Sequence, residues 1–267
     1  MRLRNLSALF MAAALAGQAP QLRKAEARPV NDSLPGDPAL LRVIEPAQKE
    51  IESGFGKVIG QAPDGLFKGR FGEENLLGYW IADAMRERAS ALGGGPVKFA
   101  FTNGGGVRTS LKPGPVRVGD IFEVMPFENE MIVVELTGAE VIGVIRESLQ
   151  RRGGEPCSGV RVELSGPVQK PILKVTWADG SLILPGETVR VVTSDYLYGG
   201  GDGIPSLRKG RKPNTTGLTI RQALLDAVQE LTRAGRTLGA PPAGRYKITP
   251  ELFQAMRDRK LGPIEGE

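Results

Sequence analysis

Three short segments of this sequence hold residues whose types and spacing could bind a small polar ligand. The first is the run Thr102–Arg108, in which three consecutive glycines follow Asn103. Glycine lets a ligand approach the backbone closely, asparagine offers both a donor and an acceptor, and arginine offers a planar cation. A tight turn with a solvent-exposed arginine explains the same residues equally well. The spacing matches neither a phosphate-binding P-loop nor a dinucleotide fingerprint.

The second and third segments add aromatic rings and a carboxylate. In the run Val124–Glu130, Phe127 follows a proline and lies among acidic residues. Such a ring is more often pinned into a core, but an exposed one can stack on a base. In the run Ser194–Gly203, Tyr196 precedes three glycines and Asp202. A carboxylate can bind the paired hydroxyls of a ribose, although a glycine-rich turn also favours aspartate.

Hydrophobic periodicity predicts the elements that must position these segments. Apolar residues at helical spacing predict five helices, one of which begins at a Thr-x-x-Glu capping box. Runs of β-branched residues predict six strands, and two of the three candidate segments directly follow a strand. The predicted helices lie within residues 40–52, 72–91, 137–149, 218–233 and 250–260. The predicted strands are 97–101, 116–122, 131–136, 159–164, 172–177 and 188–193.

The order of these elements predicts the fold class. Helices and strands alternate irregularly, which is typical of an α+β fold with a mixed β-sheet and packed helices. We expect a single domain over residues 40–240, after a proline-rich linker at 28–39 and before a turn-rich C-terminal tail at 241–267.

The N-terminus has the order of a secretory signal peptide. Arg2 and Arg4 precede an alanine-rich apolar run at 6–17, which is too short to span a bilayer. Small-x-small sites follow, so we expect cleavage near residue 27. An ordinary N-terminal helix accounts for this order less well. We therefore expect a periplasmic or secreted mature protein without a membrane segment.

Composition and charge exclude several functional classes. The chain has 35 basic and 30 acidic residues, a net charge of +5, and the basic residues are scattered. Nucleic-acid binding would need a concentrated basic patch and is not expected, whereas a phosphate-bearing ligand needs only one or two cations. The chain has one cysteine and no histidine, which argues against a Cys-His nucleophile. We assign no catalytic residue and no metal ligand.

Taken together and in order, the three segments resemble the C-terminal, substrate-recognition domain of the 5'-nucleotidase family. The matching patterns are Asn-x-Gly-Gly-x-Arg at 103–108, Pro-Phe-x-Asn at 126–129 and aromatic-x-x-x-Gly-Gly-Asp-Gly at 196–203. The run Gly78–Met85 is similar to a helix-opening motif of the same family. The resemblance covers about residues 55–235.

The resemblance implies a nucleoside-binding site. In the family this domain holds the base between two aromatic rings, which by position are Phe127 and Tyr196. It also implies that Asn103 hydrogen-bonds the base, and that Arg108 and Asp202 bind the ribose and the adjoining phosphate side. The expected substrate-binding set is Asn103, Gly105, Gly106, Arg108, Phe127, Tyr196, Gly200, Gly201 and Asp202.

The sequence departs from the family pattern at three positions. Tyrosine stands at 196 where phenylalanine is usual, but it still offers a ring for stacking. Tyr79 replaces the usual asparagine after Gly78. Arg70 is the nearest candidate for an arginine that the family often places before this helix.

The resemblance also implies a catalytic unit that we do not find in the sequence. Family members hydrolyse phosphate esters with a separate N-terminal metallophosphatase domain, which holds two metal ions on Asp, His and Asn. Only about 40 residues precede the recognisable domain here, and there is no histidine. We therefore expect no cofactor in this chain, and a divalent metal pair on a separate metallophosphatase subunit. The alternatives are a phosphoester hydrolase with an unrecognised site, a related domain of a thiosulfate-oxidation-type protein, and a degenerate domain kept as a scaffold.

Overall fold

A computed structural model describes residue 31, residues 34–69 and residues 74–266. The predicted signal peptide and the position of Arg70 lie outside these residues. None of the helices in the described ranges is long and apolar enough to cross a membrane. The chain divides into two compact units, and the larger one, Lys49–Glu267, contains the sheets and helices around the candidate site. The predicted boundaries at residues 40 and 240 stay predictions.

Helices and strands alternate irregularly along the described residues, which confirms the predicted α+β class. The helices are α1 (Pro38–Phe55), α2 (Leu76–Ala91), α3 (Val118–Val124), α4 (Gly138–Arg152), α5 (Asp195–Tyr198), α6 (Ile220–Arg233) and α7 (Pro250–Arg257). The strands are β1 (Val58–Ala62), β2 (Phe99–Phe101), β3 (Gly114–Arg117), β4 (Glu130–Thr137), β5 (Cys157–Ser158), β6 (Val160–Ser165), β7 (Ile172–Trp177), β8 (Thr188–Ser194), β9 (Arg211–Thr219), β10 (Tyr246–Ile248) and β11 (Glu265–Gly266).

A five-stranded mixed sheet of order β5-β2-β8-β4-β9 separates two hydrophobic clusters. Successive side chains of a strand point to opposite faces, and the two clusters divide accordingly. Ala100 and Val192 belong to the cluster that includes α2 and α6. Phe101 and Val191 belong to the cluster that includes α4 and the strands β6 and β7. The sheet is therefore buried on both faces, and only its edges and strand ends reach solvent.

The C-terminal residues complete a second, four-stranded sheet of order β10-β6-β7-β11. Both β10 and β11 lie parallel to their neighbours. Next to β10, Arg245 forms an ion pair with Asp83 of α2 and donates a hydrogen bond to the carbonyl oxygen of Cys157 at 2.6 Å. Arg245 thus ties the C-terminal segment to the helix that lies against the central sheet.

We expect Arg245→Ala to lower the free energy of unfolding by about 2–3 kcal/mol, because it leaves the partly buried carboxylate of Asp83 without its cation. Asp83 would keep only the hydroxyl of Ser158 as a hydrogen-bond partner among the described residues. Urea denaturation measures the change. The control is Arg233→Ala, since the Arg233 side chain is exposed and contacts Gln229 only weakly, at 3.5 Å. Equal changes in the two variants would show that the ion pair has no structural role.

The strand predicted at 116–122 is wrong beyond residue 117. β3 ends at Arg117 and the helix α3 follows directly. The carboxylate of Asp120 accepts a hydrogen bond from the backbone N–H of Arg117 at 2.6 Å, which satisfies a donor at the start of the helix. Ile121 and Val124 are then buried at helical spacing. The local cap therefore outweighs the β-branched character of the run.

Candidate functional site

The three candidate segments meet at one end of the strands of the five-stranded sheet. β2 and β8 are parallel neighbours, with Ala100 opposite Val192, so their carboxyl ends lie side by side. β4 runs antiparallel to β8, with Met131 opposite Ser194, so its amino end lies beside the carboxyl end of β8. The turn after β2, the loop before β4 and the helix α5 after β8 consequently converge.

The converging segments line a pocket of about 430 Å³, which we call the aromatic pocket. Seven of the nine predicted site residues line it, and Gly200 and Gly201 lie in the adjoining turn. The seven are Asn103, Gly105, Gly106, Arg108, Phe127, Tyr196 and Asp202. The lining also includes residues that were not predicted, namely Thr102, Met125, Asn129, Arg152 and Ile220.

Two exposed aromatic rings open into this pocket. Phe127 is 42% exposed and Tyr196 is 47% exposed, which is unusual for rings placed at the end of a buried sheet. The guanidinium of Arg108 lies over the Phe127 ring, 5.5 Å from its centre. A methyl group at Gly201 would lie 2.5 Å from carbon atoms of the Tyr196 ring. A side chain at 201 would therefore displace the ring, which rests against the glycine backbone.

A buried arginine holds the loop that carries Phe127. Arg221 of α6 donates hydrogen bonds to the carbonyl oxygens of Pro126 at 3.1 Å and Phe127 at 3.4 Å. It also pairs with the carboxylate of Glu128 at 2.6 Å. The loop is thus fixed at three points beside the exposed Phe127 ring. Sequence reasoning missed Arg221, because the contact joins residues about ninety positions apart.

The carboxylate of Asp202 joins the remaining parts of the site. It accepts hydrogen bonds from the side-chain amide of Asn103 at 2.8 Å and from the hydroxyl of Tyr196 at 3.1 Å. It also pairs with Arg152 at the end of α4, at 3.0 Å. Asp202 has a φ of 52°, a left-handed conformation that aspartate tolerates better than most residues. Arg152 was not singled out in the sequence, since nothing local indicates its partner.

A second buried carboxylate lies behind the glycine turn. Glu155 is 7% exposed and accepts a hydrogen bond from the backbone N–H of Gly104 at 2.6 Å. Burial raises the pKa of Glu155 to about 7 and the charge of Asp202 adds to this, against the opposing effects of the Gly104 hydrogen bond and of Arg152 and Lys68. Glu155 therefore changes its charge near neutral pH while it holds the turn that lines the aromatic pocket.

We expect the stability of the protein to depend on this carboxylate between about pH 4.5 and 7. The folded-state pKa of Glu155 lies above the usual 4.5. The folding stability that its protonated carboxyl contributes is therefore full below pH 4.5 and is lost as the pH rises through about 7. Across that window, the free energy of unfolding should fall by up to about 3 kcal/mol relative to Glu155→Gln. Chemical denaturation at several pH values measures the difference. The control is Glu123→Gln, because Glu123 is exposed. Parallel pH profiles for the wild type and Glu155→Gln would contradict the raised pKa.

The residues around the aromatic pocket do not suit a pair of divalent metal ions. Within the described ranges, no three His, Cys, Asp or Glu side chains come together as ligands. The carboxylates nearest the pocket, Asp202 and Glu155, are already bound by N–H donors of Asn103, Arg152 and Gly104. The pocket instead offers two ring faces, an amide and a carboxylate, which suit a planar ring joined to a hydroxylated group.

Comparison with known proteins identifies the family of this fold and site. Residues 58–209 match the family model of the 5'-nucleotidase, C-terminal domain. The chain belongs to this family. The resemblance seen in the sequence is thereby confirmed, and the aromatic pocket belongs to a 5'-nucleotidase C-terminal domain.

Two curated proteins and a solved structure are similar over most of this chain. A 5'-nucleotidase of Vibrio parahaemolyticus is 30% identical over 75% of this chain and 35% of its own length. The cell wall protein Lmo0130 of Listeria monocytogenes is 28% identical over 84% of this chain and 31% of its own length. The chain thus spans about a third of the length of these curated relatives. The structure of a 5'-nucleotidase precursor from Thermus thermophilus superposes with a TM-score of 0.65 and 26% identity, covering 79% of this chain and 42% of that one.

A sulfate thiohydrolase, SoxB, of Thermus thermophilus shares the fold of this domain. Its structure superposes with a TM-score of 0.56 and 16% identity, over 79% of this chain and 38% of its own. At that identity the similarity shows a common fold alone.

Proposed function

We propose that this 5'-nucleotidase C-terminal domain binds a nucleoside or nucleotide and supplies substrate recognition for nucleotide hydrolysis. The observation that carries the proposal is the pair of exposed rings, Phe127 and Tyr196, that open into one pocket beside the Asp202 carboxylate. A base held between the two rings gains about 1–3 kcal/mol from each, by analogy with stacking in nucleic-acid sites.

The remaining groups of the aromatic pocket would orient the ligand. The side-chain amide of Asn103 hydrogen-bonds the base, while the Asp202 carboxylate takes the ribose hydroxyls and Arg108 the phosphate side. Asn103, Tyr196 and Arg152 already hold Asp202 in place, so the site needs little rearrangement to bind its ligand. Gly105 and Gly106 keep side chains out of the pocket wall, and the turn at Gly200 and Gly201 supports the Tyr196 ring.

Hydrolysis itself would be performed by a metallophosphatase unit outside this sequence, which we propose is a separate subunit. The donor set of the described residues supports this, because no three His, Cys, Asp or Glu side chains come together among them and the sequence has no histidine. We propose further that the chain is exported to the periplasm or secreted. The order of the N-terminal residues supports export, as does the similarity to a relative named as a cell wall protein.

Calorimetric titration with adenosine, AMP and UDP-glucose tests the proposal, with phosphate release assayed on the same samples. Binding of at least one of these ligands without phosphate release is the expected result. Metal-dependent phosphate release from the pure chain would contradict the proposal that a separate unit performs hydrolysis. It would favour a hydrolase in its own right. Absence of binding to all three would contradict nucleotide recognition.

A further inference from the structure

A broad groove of about 1030 Å³ adjoins the aromatic pocket and shares Arg152 and Asp202 with it. Two arginines, Arg151 and Arg152, come from the end of α4, and two more, Arg257 and Arg259, come from the end of α7. Asp202 is the single acidic residue among the described residues that line it. We call this feature the arginine groove. Its lining carries a clear excess of positive charge directly beside the place proposed for the ribose.

Charge alone does not identify a ligand site here, because arginines near helix C-termini also stabilise the helix. The backbone of Arg259 provides a second observation. Its φ is 56°, and the N–H of the next residue, Lys260, donates to the carbonyl oxygen of Ala255 at 2.8 Å. This position after a helix is normally taken by glycine, which adopts positive φ without strain. An arginine at this position therefore carries backbone strain that a glycine would not.

The other groups of the arginine groove are also held in place. The guanidinium of Arg151 lies against Gly203, where an added methyl group would come within 2.7 Å of Arg151 Nη1. Arg152 is fixed by its ion pair with Asp202 at 3.0 Å. The described non-glycine residues with positive φ are Asp202, Lys212 and Arg259, and two of the three line this groove. Arg151 and Arg152 therefore both lie against the glycine-rich turn that carries Asp202.

We propose that the arginine groove binds a second phosphate group, carried on the 2'- or 3'-hydroxyl of a nucleotide whose base occupies the aromatic pocket. This inference rests on the proposed function. Asp202 belongs to both cavities, so a ribose placed at Asp202 has its hydroxyls at their junction. A phosphate on one of those hydroxyls enters the groove, where Arg152 offsets the Asp202 charge and Arg151 and Arg259 bind the anion.

The test is calorimetric titration of the full chain with AMP, adenosine 2',5'-bisphosphate, adenosine 3',5'-bisphosphate and inorganic pyrophosphate. At least one bisphosphate should bind about tenfold more tightly than AMP, as expected for one added charge-assisted contact. Arg259→Gly should remove most of that advantage and leave AMP binding unchanged. The variant should fold, because glycine suits the left-handed position. If circular dichroism shows otherwise, Arg151→Gln replaces it.

Lys212→Gly is the matched control, since Lys212 also has a positive φ, 49°, and is exposed outside the groove. It should leave the affinity for every ligand unchanged. If AMP binds and neither bisphosphate binds more tightly, the groove proposal is wrong while the proposed function stands. If pyrophosphate binds alone and does not compete with the bisphosphates, the groove is a free-anion site and the proposal is wrong. If no nucleotide binds, both proposals fail together.

Discussion

Replacing Asp202 with asparagine is expected to weaken AMP binding by about 10- to 100-fold, because hydrogen bonds to a charged group contribute about 1.5–3 kcal/mol. The carboxylate binds three side chains that come from three separate parts of the chain, those of Asn103, Arg152 and Tyr196. Asparagine keeps the shape and tolerates the left-handed backbone, but it loses the charge that pairs with Arg152. Calorimetric titration with AMP measures the loss.

Two further measurements separate a binding role of Asp202 from a structural one. Asp179→Asn changes an exposed aspartate in the turn after β7 and should leave AMP affinity unchanged. The free energy of unfolding of Asp202→Asn shows whether the variant stays folded during the titration, since its side chain is only 13% exposed and loses the charge that pairs with Arg152. AMP affinity retained within about twofold, less than the loss of a single net hydrogen bond, would remove Asp202 from the site.

Tyr196→Ala is the second change with a large expected effect, a loss of AMP affinity of about 5- to 150-fold through lost stacking. The ring is about half exposed and rests against Gly201, so its removal should cost little folding stability. Tyr196→Phe is the matched control, because it keeps the ring and removes only the hydrogen bond to Asp202. It should bind AMP within about threefold of the wild type, about the worth of one net hydrogen bond.

Phe127→Ala should weaken AMP binding by a similar factor, since the Phe127 ring forms the other stacking surface. The measurement is again titration with AMP, alongside adenosine, whose base and ribose are the same. An equal loss for Tyr196→Phe and Tyr196→Ala would show that the hydroxyl, and not the ring, matters at this position. Unchanged affinity in both Phe127→Ala and Tyr196→Ala would place the base elsewhere.

The convergence of the three segments was predictable in part from the sequence. Two of them directly follow predicted strands, and the strands observed at Phe99–Phe101 and Thr188–Ser194 lie within or close to the predicted ranges. Local apolar runs identify such strands because each is buried. That the strands are parallel neighbours depends on contacts between distant residues, which no local pattern encodes. The family resemblance indicated only that the three segments form one binding site.

The sequence did not reveal an exposed polar strand or the contacts between residues that are far apart in the chain. β9 was missed because most of its residues are exposed and Pro213 interrupts it, features of an edge strand that pairs on one side only. Arg152 and Arg221 were missed because each acts through a partner about fifty or ninety residues away. Arg259 gave no local signal either, since only its backbone conformation distinguishes it from an ordinary surface arginine.

A crystal structure of the chain with AMP would show where the domain holds the base and the ribose. We expect the adenine ring between Phe127 and Tyr196, with the ribose hydroxyls within hydrogen-bond distance of the Asp202 carboxylate. The side chain of Asn103 should contact the base edge. An AMP molecule bound outside the aromatic pocket, or one whose base leaves either ring uncovered, would contradict the account.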